Sequence, residues 1–287
     1  MAQTDIPNAL EKIQERSKDV PWYNPDVGNK LGGSARELLE NYSKIPASEV
    51  EDHVYKIRDE AWSVFPYPCI GGFRFLDLAI AQSPDYPTIL KRLKTGHERF
   101  LDLGCCFGQE IRRLVHDGVP QSSIYGADLR PEFFELGYKF FRDVDTLKVK
   151  FLAADIFDIE STLKDLEGTI DIIYAGSFLH LFNYEQQVEV CKRIVKLLRE
   201  KEGSVVVGRQ AGNLEAGERV HRTNEAQSMF RHNLESFKKM WEEVGVMTGT
   251  KWRVEVEMLD SVSVDRAWMQ GLHGKDGRPI RFSVWRE

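Results

Sequence analysis

From residue 99 the chain falls into a repeating unit: a short apolar run, a turn, then an amphipathic helical stretch. Apolar runs occupy residues 99–103, 123–128, 149–154, 170–175 and 204–208, and helical patterns follow three of them at 109–117, 131–141 and 185–199. Runs with little polar alternation suit strands covered on both faces, and the helices between them supply the covers. The alternation therefore predicts βα units and a doubly wound, mainly parallel α/β sheet. After residue 232 the rhythm changes. A helix over 233–244, capped by Asn233, leads to a period-two stretch at 252–259 and a last strand at 281–286. No helix separates these two strands, so they read as a hairpin.

Residues 1–97 do not share this rhythm and are read as an extended and helical cap on a core spanning 98–287. Pro7, Pro21, Pro25 and Pro46 interrupt the segment. Trp22 and Tyr23 sit between two prolines as aromatic anchors on extended chain. A short helix is expected after Ser34 and a longer one over 48–62, each capped by its serine. In the longer helix Val50, Val54, Ile57 and Ala61 share one face. Pro66, Pro68, Gly71 and Gly72 then forbid regular helix, and two further helices are expected at 75–81 and 87–94.

Composition removes several alternatives. At 42% hydrophobic and 29% charged residues, the chain reads as an ordinary globular protein. No run approaches the ~20 apolar residues of a membrane span, and the N-terminus lacks the basic and apolar blocks of a signal peptide. Four cysteines, Cys69, Cys105, Cys106 and Cys191, have no metal-type spacing. No metal site or disulfide framework is expected, and a reducing cytoplasm is the default compartment. A formal net charge of −6 with only short basic clusters argues against nucleic acid as a partner.

The run Phe100-Leu101-Asp102-Leu103-Gly104-Cys105-Cys106-Phe107-Gly108 carries the first functional signal. A strand ending in an aspartate, a glycine turn and a helix start form a ligand crevice at the carboxyl edge of a parallel sheet. Dinucleotide binding by G-x-G-x-x-G needs glycines at 106 and 109, where this chain has Cys106 and Gln109. A nicotinamide-dependent oxidoreductase is therefore a distant alternative.

The same run resembles the first motif of class I S-adenosylmethionine-dependent methyltransferases, which commonly read Asp-x-Gly-x-Gly-x-Gly. Asp102, Gly104 and Gly108 match; Cys106 replaces the middle glycine. The resemblance implies a Rossmann-like seven-stranded sheet with its last strand inserted antiparallel, and S-adenosyl-L-methionine as cofactor. It implies that Asp102, Gly104, Cys105 and Gly108 lie against the cofactor. Asp128 and Leu129 would contact the ribose, and Asp155 and Ile156 the adenine. Residues 173–181 would floor the active site, with Ser177 and Tyr67 as further cofactor contacts. Three segments are similar to fungal methyltransferases of secondary metabolism: Trp62-Ser63-Val64-Phe65-Pro66-Tyr67-Pro68-Cys69-Ile70-Gly71, the Cys105-Cys106-Phe107-Gly108 loop, and Gly176-Ser177-Phe178-Leu179-His180-Leu181-Phe182. Those of meroterpenoid pathways methylate a carboxyl group of a polyketide–terpene intermediate.

A hydrophobic small-molecule acceptor and its O-methylation are thus expected. A carboxylic acid is already ionised at neutral pH and needs no general base, whereas a phenol would benefit from one. His180 and His221 are the candidate catalytic residues, for orienting the acceptor oxygen or taking its proton. His221 lies in a charged insertion, 211–232, of the kind that shapes acceptor pockets in this family. Trp22, Tyr23, Trp62 and Phe73 are candidates for core or for an apolar acceptor wall. Cys105 and Cys106 are read as small packing residues. Beside the oxidoreductase, two rival readings remain: methylation of a phenol, an amine or a carbon, and a silent cofactor-binding regulator; the aromatic N-terminal arm is a candidate for forming a homodimer.

Overall fold

The computed structural model describes residues 16–220, 227–259 and 274–287. One seven-stranded sheet organises it, in the order β3-β2-β1-β4-β5-β9-β8. Strands β1 (Phe100–Leu103), β2 (Ile124–Asp128), β3 (Lys150–Ala153), β4 (Ile172–Tyr174) and β5 (Val205–Asn213) run parallel. The last strand, β9 (Gly277–Arg286), inserts antiparallel between β5 and β8 (Trp252–Met258). The expected doubly wound sheet and its reversed final strand are both present. Because β1 pairs with β2 on one side and β4 on the other, the chain reverses its winding there. A crevice opens at such a switch point, beyond the carboxyl ends of the strands.

Successive strand residues face opposite sides of the sheet. Leu101, Ile173 and Val206 pack on one side with Ile194, Trp241 and Phe282; Phe100, Ile172 and Val205 pack on the other with Ile89, Ile111 and Leu114. Helices α4 (Tyr86–Leu93) and α5 (Gln109–His116) thus cover one side, and α7 (Tyr184–Leu197) and α8 (Leu234–Thr248) the other. Both α7 and α8 start on a capping box, Asn183 with Gln186 and Asn233 with Ser236. Gly249, at φ +66°, ends α8.

The N-terminal segment forms α1 (Gly33–Glu37), α2 (Val50–Val64) and α3 (Pro68–Gly71). Its apolar residues share one buried cluster with Phe107 of the glycine loop and with Phe133, Leu136, Phe140 and Phe141 of α6 (Glu132–Phe141). The two expected serine caps are absent. Ser34 lies inside α1, and the turn closed by Glu49 N–H to Pro46 O (2.8 Å) delays α2 to Val50. The helix expected at 75–81 is instead two short 3₁₀ turns, Arg74–Leu76 and Ala79–Gln82, divided at Leu78 by φ +43°. Trp22, Trp62 and Phe73 are core residues, each at most 3% exposed, and Tyr23 packs edge-on against Trp62; none of the four reaches the crevice. Arg58 lies between the rings of Tyr23 and Phe73, 4.1 and 4.4 Å from their centroids.

The insertion expected at 211–232 is in part strand. β5 continues to Asn213 because β9 pairs with it as far as Gly277, and β6 (Gly217–Val220) and β7 (Ser228–Arg231) form a separate hairpin. The hairpin docks through Phe230 N–H to Phe182 O (2.8 Å) and through Gln187, which donates to both Phe182 O and Phe230 O. Among the described residues no helix is long and apolar enough to cross a membrane.

Candidate active site

A cavity of about 280 Å³ opens at the switch point. The glycine loop, the segment after β4, the carboxyl end of β5, the cap segment 67–79 and the hairpin strand β7 form its walls.

The loop keeps its shape through backbone hydrogen bonds. Gly104 N–H and Cys105 N–H both donate to Ala127 O, at 2.8 and 3.0 Å, and Gly108 N–H donates to Cys105 O at 2.7 Å. Gly104 has φ +76°, and a Cβ there would lie 2.7 Å from the Phe178 ring, so glycine is required twice over. Cys106, at the position where the resembling motif has glycine, also takes the left-handed conformation, φ +51°. The cysteine therefore preserves a glycine-like backbone, at a conformational cost of about 1–2 kcal/mol. Its N–H donates to Asp128 Oδ2 at 2.9 Å, which ties the loop to the end of β2. All four cysteines are free thiols.

Three carboxyl groups line the cavity near β1 and β2. Asp102 is 2% exposed, and its Oδ2 is sealed from water with no hydrogen-bond partner. Burial, then the neighbouring Glu110 and Asp128, pushes its pKa well above the usual carboxylate range. Asp128 is raised by burial too, against the pull of N–H groups from Arg130, Cys106 and Leu129. Glu110, in the first turn of α5, is pushed up to about 7 by burial, although it accepts hydrogen bonds from Ala79 N–H (2.7 Å) and Ile80 N–H (3.2 Å). Such a wall is built for a cation. S-adenosylmethionine carries an ammonium and a sulfonium, either of which would relieve the orphaned Asp102 oxygen, and a ribose diol that Asp128 can accept from. The residues present fit that cofactor.

Other sequence candidates divide. Leu129, Tyr67, Ser177 and His180 line the cavity with Asp102, Gly104 and Asp128. Leu129 is an apolar side chain left 60% exposed. Tyr67 packs at a tilt of 42° against Phe65, with ring centroids 4.2 Å apart, and its hydroxyl accepts a long hydrogen bond from Arg130 Nε at 3.4 Å. Ser177 has φ +56° and donates its N–H to Arg209 O at 2.6 Å. The structure does not bring Cys105, Gly108, Asp155 or Ile156 to the cavity wall. Cys105 and Ile156 are buried in packing, and Asp155 closes a local turn by accepting Phe157 N–H at 2.9 Å. His221 lies outside the described residues. From the 211–232 insertion, Ala211, Met229 and Arg231 face the cavity.

His180 Nδ1 accepts from Ala211 N–H at 3.4 Å, so in the neutral ring Nε2 carries the proton. In that form His180 offers a donor at Nε2 rather than a base.

Sequence reasoning missed the cation side of the cavity. Arg74, Asp77 and Arg209 line it, with Tyr174 and Glu110 nearby. Two signals were available. Arg74 and Asp77 are charged residues in an apolar run, Phe73-Arg74-Phe75-Leu76-Asp77-Leu78, and Arg209 directly follows the apolar run of β5.

The sheet, the loop and the acidic wall define an S-adenosylmethionine-dependent methyltransferase. Residues 100–201 match the methyltransferase domain family, and residues 22–76 match the meroterpenoid methyltransferase N-terminal domain family. The O-methyltransferase phiE of a fungal species is 46% identical, over 91% of this chain and 87% of that protein. The asnovolin E/chermesin D methyltransferase nvfJ of Aspergillus novofumigatus is 43% identical, over 90% of this chain and 91% of that protein. The O-methyltransferase atr3 of Stereocaulon alpinum is 44% identical, over 98% of this chain and 80% of that protein. The chain belongs to this family of fungal meroterpenoid-type methyltransferases. Among solved structures, the [4+2]-cyclase SpnF is similar in fold alone, at TM-score 0.50 and 14% identity, covering 69% of this chain and 79% of that one.

Proposed function

We propose that this enzyme O-methylates a hydrophobic small molecule, and that the methylated group is a carboxylate of a terpenoid-containing biosynthetic intermediate. The description of the matching N-terminal family supports a meroterpenoid-type acceptor. The observation that carries the carboxylate reading is the sorting of charge along the sheet edge. Asp128 and Asp102 lie on β2 and β1, and the arginines beyond β4, Arg209 on β5, Arg231 on the hairpin strand β7 and Arg74 on the cap, with Asp77 among them.

The bound cofactor supplies an electrophilic methyl group on a sulfonium. The new O–C bond forms from a carboxylate lone pair while the S–C pair returns to sulfur, so no proton moves. The chain's own residues orient and desolvate. Asp128 would accept hydrogen bonds from the ribose hydroxyls, and Asp102 would face the methionyl cation. Leu129, Phe178 and Phe133 keep the site apolar, which favours a reaction that neutralises opposite charges.

A phenol reading has one observation in its favour. Glu110, at about 7, is matched to proton acceptance near neutrality. The test uses radiolabelled cofactor and a panel of apolar acids and phenols. A methyl ester releases labelled methanol in mild alkali; a phenyl ether, amine or carbon product does not. Alkali-stable product from every accepted compound would sink the carboxylate reading. Product formed only from phenols, and lost in Glu110→Gln, would establish the alternative.

A further inference from the structure

We propose that Arg209 and Arg74, held in register by Asp77, form the clamp that grips the acceptor's carboxylate and lets go once the group is esterified. The inference rests on the carboxylate reading above and names the residues that would enforce it.

Asp77 Oδ2 accepts from Arg209 Nη2 at 2.7 Å and forms an ion pair with Arg74 Nη2 at 3.0 Å, and Lys30 Nζ lies 3.2 Å from Oδ1. One carboxylate thus faces three cations, which hold its pKa down to about 2 despite burial. Those three cations share Asp77, and Glu110 is a further acidic neighbour of Arg209. Both guanidiniums line the cavity with side chains only 12% exposed, whereas Lys30 stands behind Asp77 and does not reach the cavity. The Arg209 guanidinium, this sheltered and sharing Asp77 with two other cations, is placed to take a further anion. A guanidinium has five donors in a planar fork, and the Asp77 contact of Arg209 uses one nitrogen of it. A carboxylate is the ligand whose geometry matches the remainder.

Position decides which carboxylate. Arg209 lies midway along β5, two strands from β1 across β4, with Glu110 as its neighbour on the acidic wall. A methyl donor on the acidic wall and an anion on the arginines would meet between them, beside Tyr174 and Phe178. Asp77 comes from the cap and Arg209 from the sheet, so the clamp exists only where the two pack together. Esterification removes the acceptor's charge, and with it the attraction to both arginines. The product then binds more weakly than the acid.

The experiment is calorimetric titration of the full chain, saturated with S-adenosylhomocysteine, with abietate, farnesoate and 2-naphthoate and with the methyl ester and alcohol of each. Wild type should bind at least one acid and discriminate against its ester and alcohol. Arg209→Gln should weaken the acid at least about tenfold while the affinity for S-adenosylhomocysteine stays within about twofold. Arg209→Lys should retain part of the discrimination, and Asp77→Asn should lose it with S-adenosylhomocysteine still bound. Circular dichroism melts identify any variant that has simply unfolded. Three results overturn the clamp: no acid of the panel binds wild type; acids bind wild type and Arg209→Gln alike; or Arg209→Gln weakens S-adenosylhomocysteine to the level of 5′-methylthioadenosine, which lacks the carboxylate. Arg209-dependent binding of acids together with only alkali-stable methylated products would keep the carboxylate grip, but overturn its release by esterification and the carboxyl-methylation reading.

Discussion

Glu110 offers a stability test of the cavity electrostatics, independent of any acceptor. Its pKa moves from the usual 4.5 to about 7 in the folded protein because burial opposes its charge. That gap corresponds to about 3 kcal/mol. Between pH 4.5 and 7 the folded state holds a proton that the unfolded chain has lost, so this group makes stability fall as pH rises through that window. The whole protein conceals the effect. His232 is fully buried and held down at about 4 against an ordinary 6.5, so the folded state binds fewer protons there and stability rises between pH 4 and 6.5. The informative quantity is therefore the difference between wild type and Glu110→Gln, measured by urea denaturation at several pH values without ligand. At pH 4.5 glutamine should be slightly the worse residue. Its single oxygen cannot serve both Ala79 N–H and Ile80 N–H, an offset of about 1 kcal/mol. By pH 7.5 the stability of the variant relative to wild type should have risen by about 3 kcal/mol, making it the more stable protein. A difference that stays constant across the range would refute the assignment of a buried, reluctantly ionised carboxyl beside the cofactor site.

Other expectations follow from the same geometry. Asp128→Ala should weaken S-adenosylhomocysteine by at least about 2 kcal/mol, roughly 30-fold in Kd by calorimetry, because hydrogen bonds from the ribose to a charged acceptor are lost. S-adenosylmethionine, a cation entering a wall of raised carboxyl pKa values, should release protons on binding, seen as a dependence of binding heat on buffer ionisation enthalpy; no dependence at pH 6.5 would count against ionisation of Glu110 or Asp102. Gly104→Ala should lower stability by at least about 1 kcal/mol and impair cofactor binding, because alanine at φ +76° is strained and would push on Phe178. Asp143→Ala should cost about 3–5 kcal/mol in urea denaturation, since it strands Arg112, which is fully buried and donates to Asp143 through Nε (2.8 Å) and Nη2 (2.9 Å).

The parallel sheet was legible because buried strands leave little choice of residue. Runs such as Ile170-Asp171-Ile172-Ile173-Tyr174 can be satisfied only by cover on both faces, and the Asp102–Gly108 loop follows from the φ values a tight turn demands. What stayed hidden depends on partners distant in sequence. Strand β5 reads as ending at Gly208, yet it continues because β9, some seventy residues later, pairs with it as far as Asn213. The glycine is needed for close approach, since a Cβ there would lie 2.5 Å from both Ala175 O and the Phe282 ring. With the strand ended at Gly208, Arg209 falls just outside it. The helix expected at 75–81 failed for a related reason. Its second turn is capped by Glu110, thirty residues away, and the break at Leu78 separates the two 3₁₀ turns. Both misreadings fell on the residues that build the cationic end of the cavity. Local pattern gives the cofactor half, whose loop is contiguous in sequence. The acceptor half is assembled from the cap, β5 and the hairpin, and its chemistry becomes visible only once Asp77 meets Arg209 across the 131 residues that separate them in the chain.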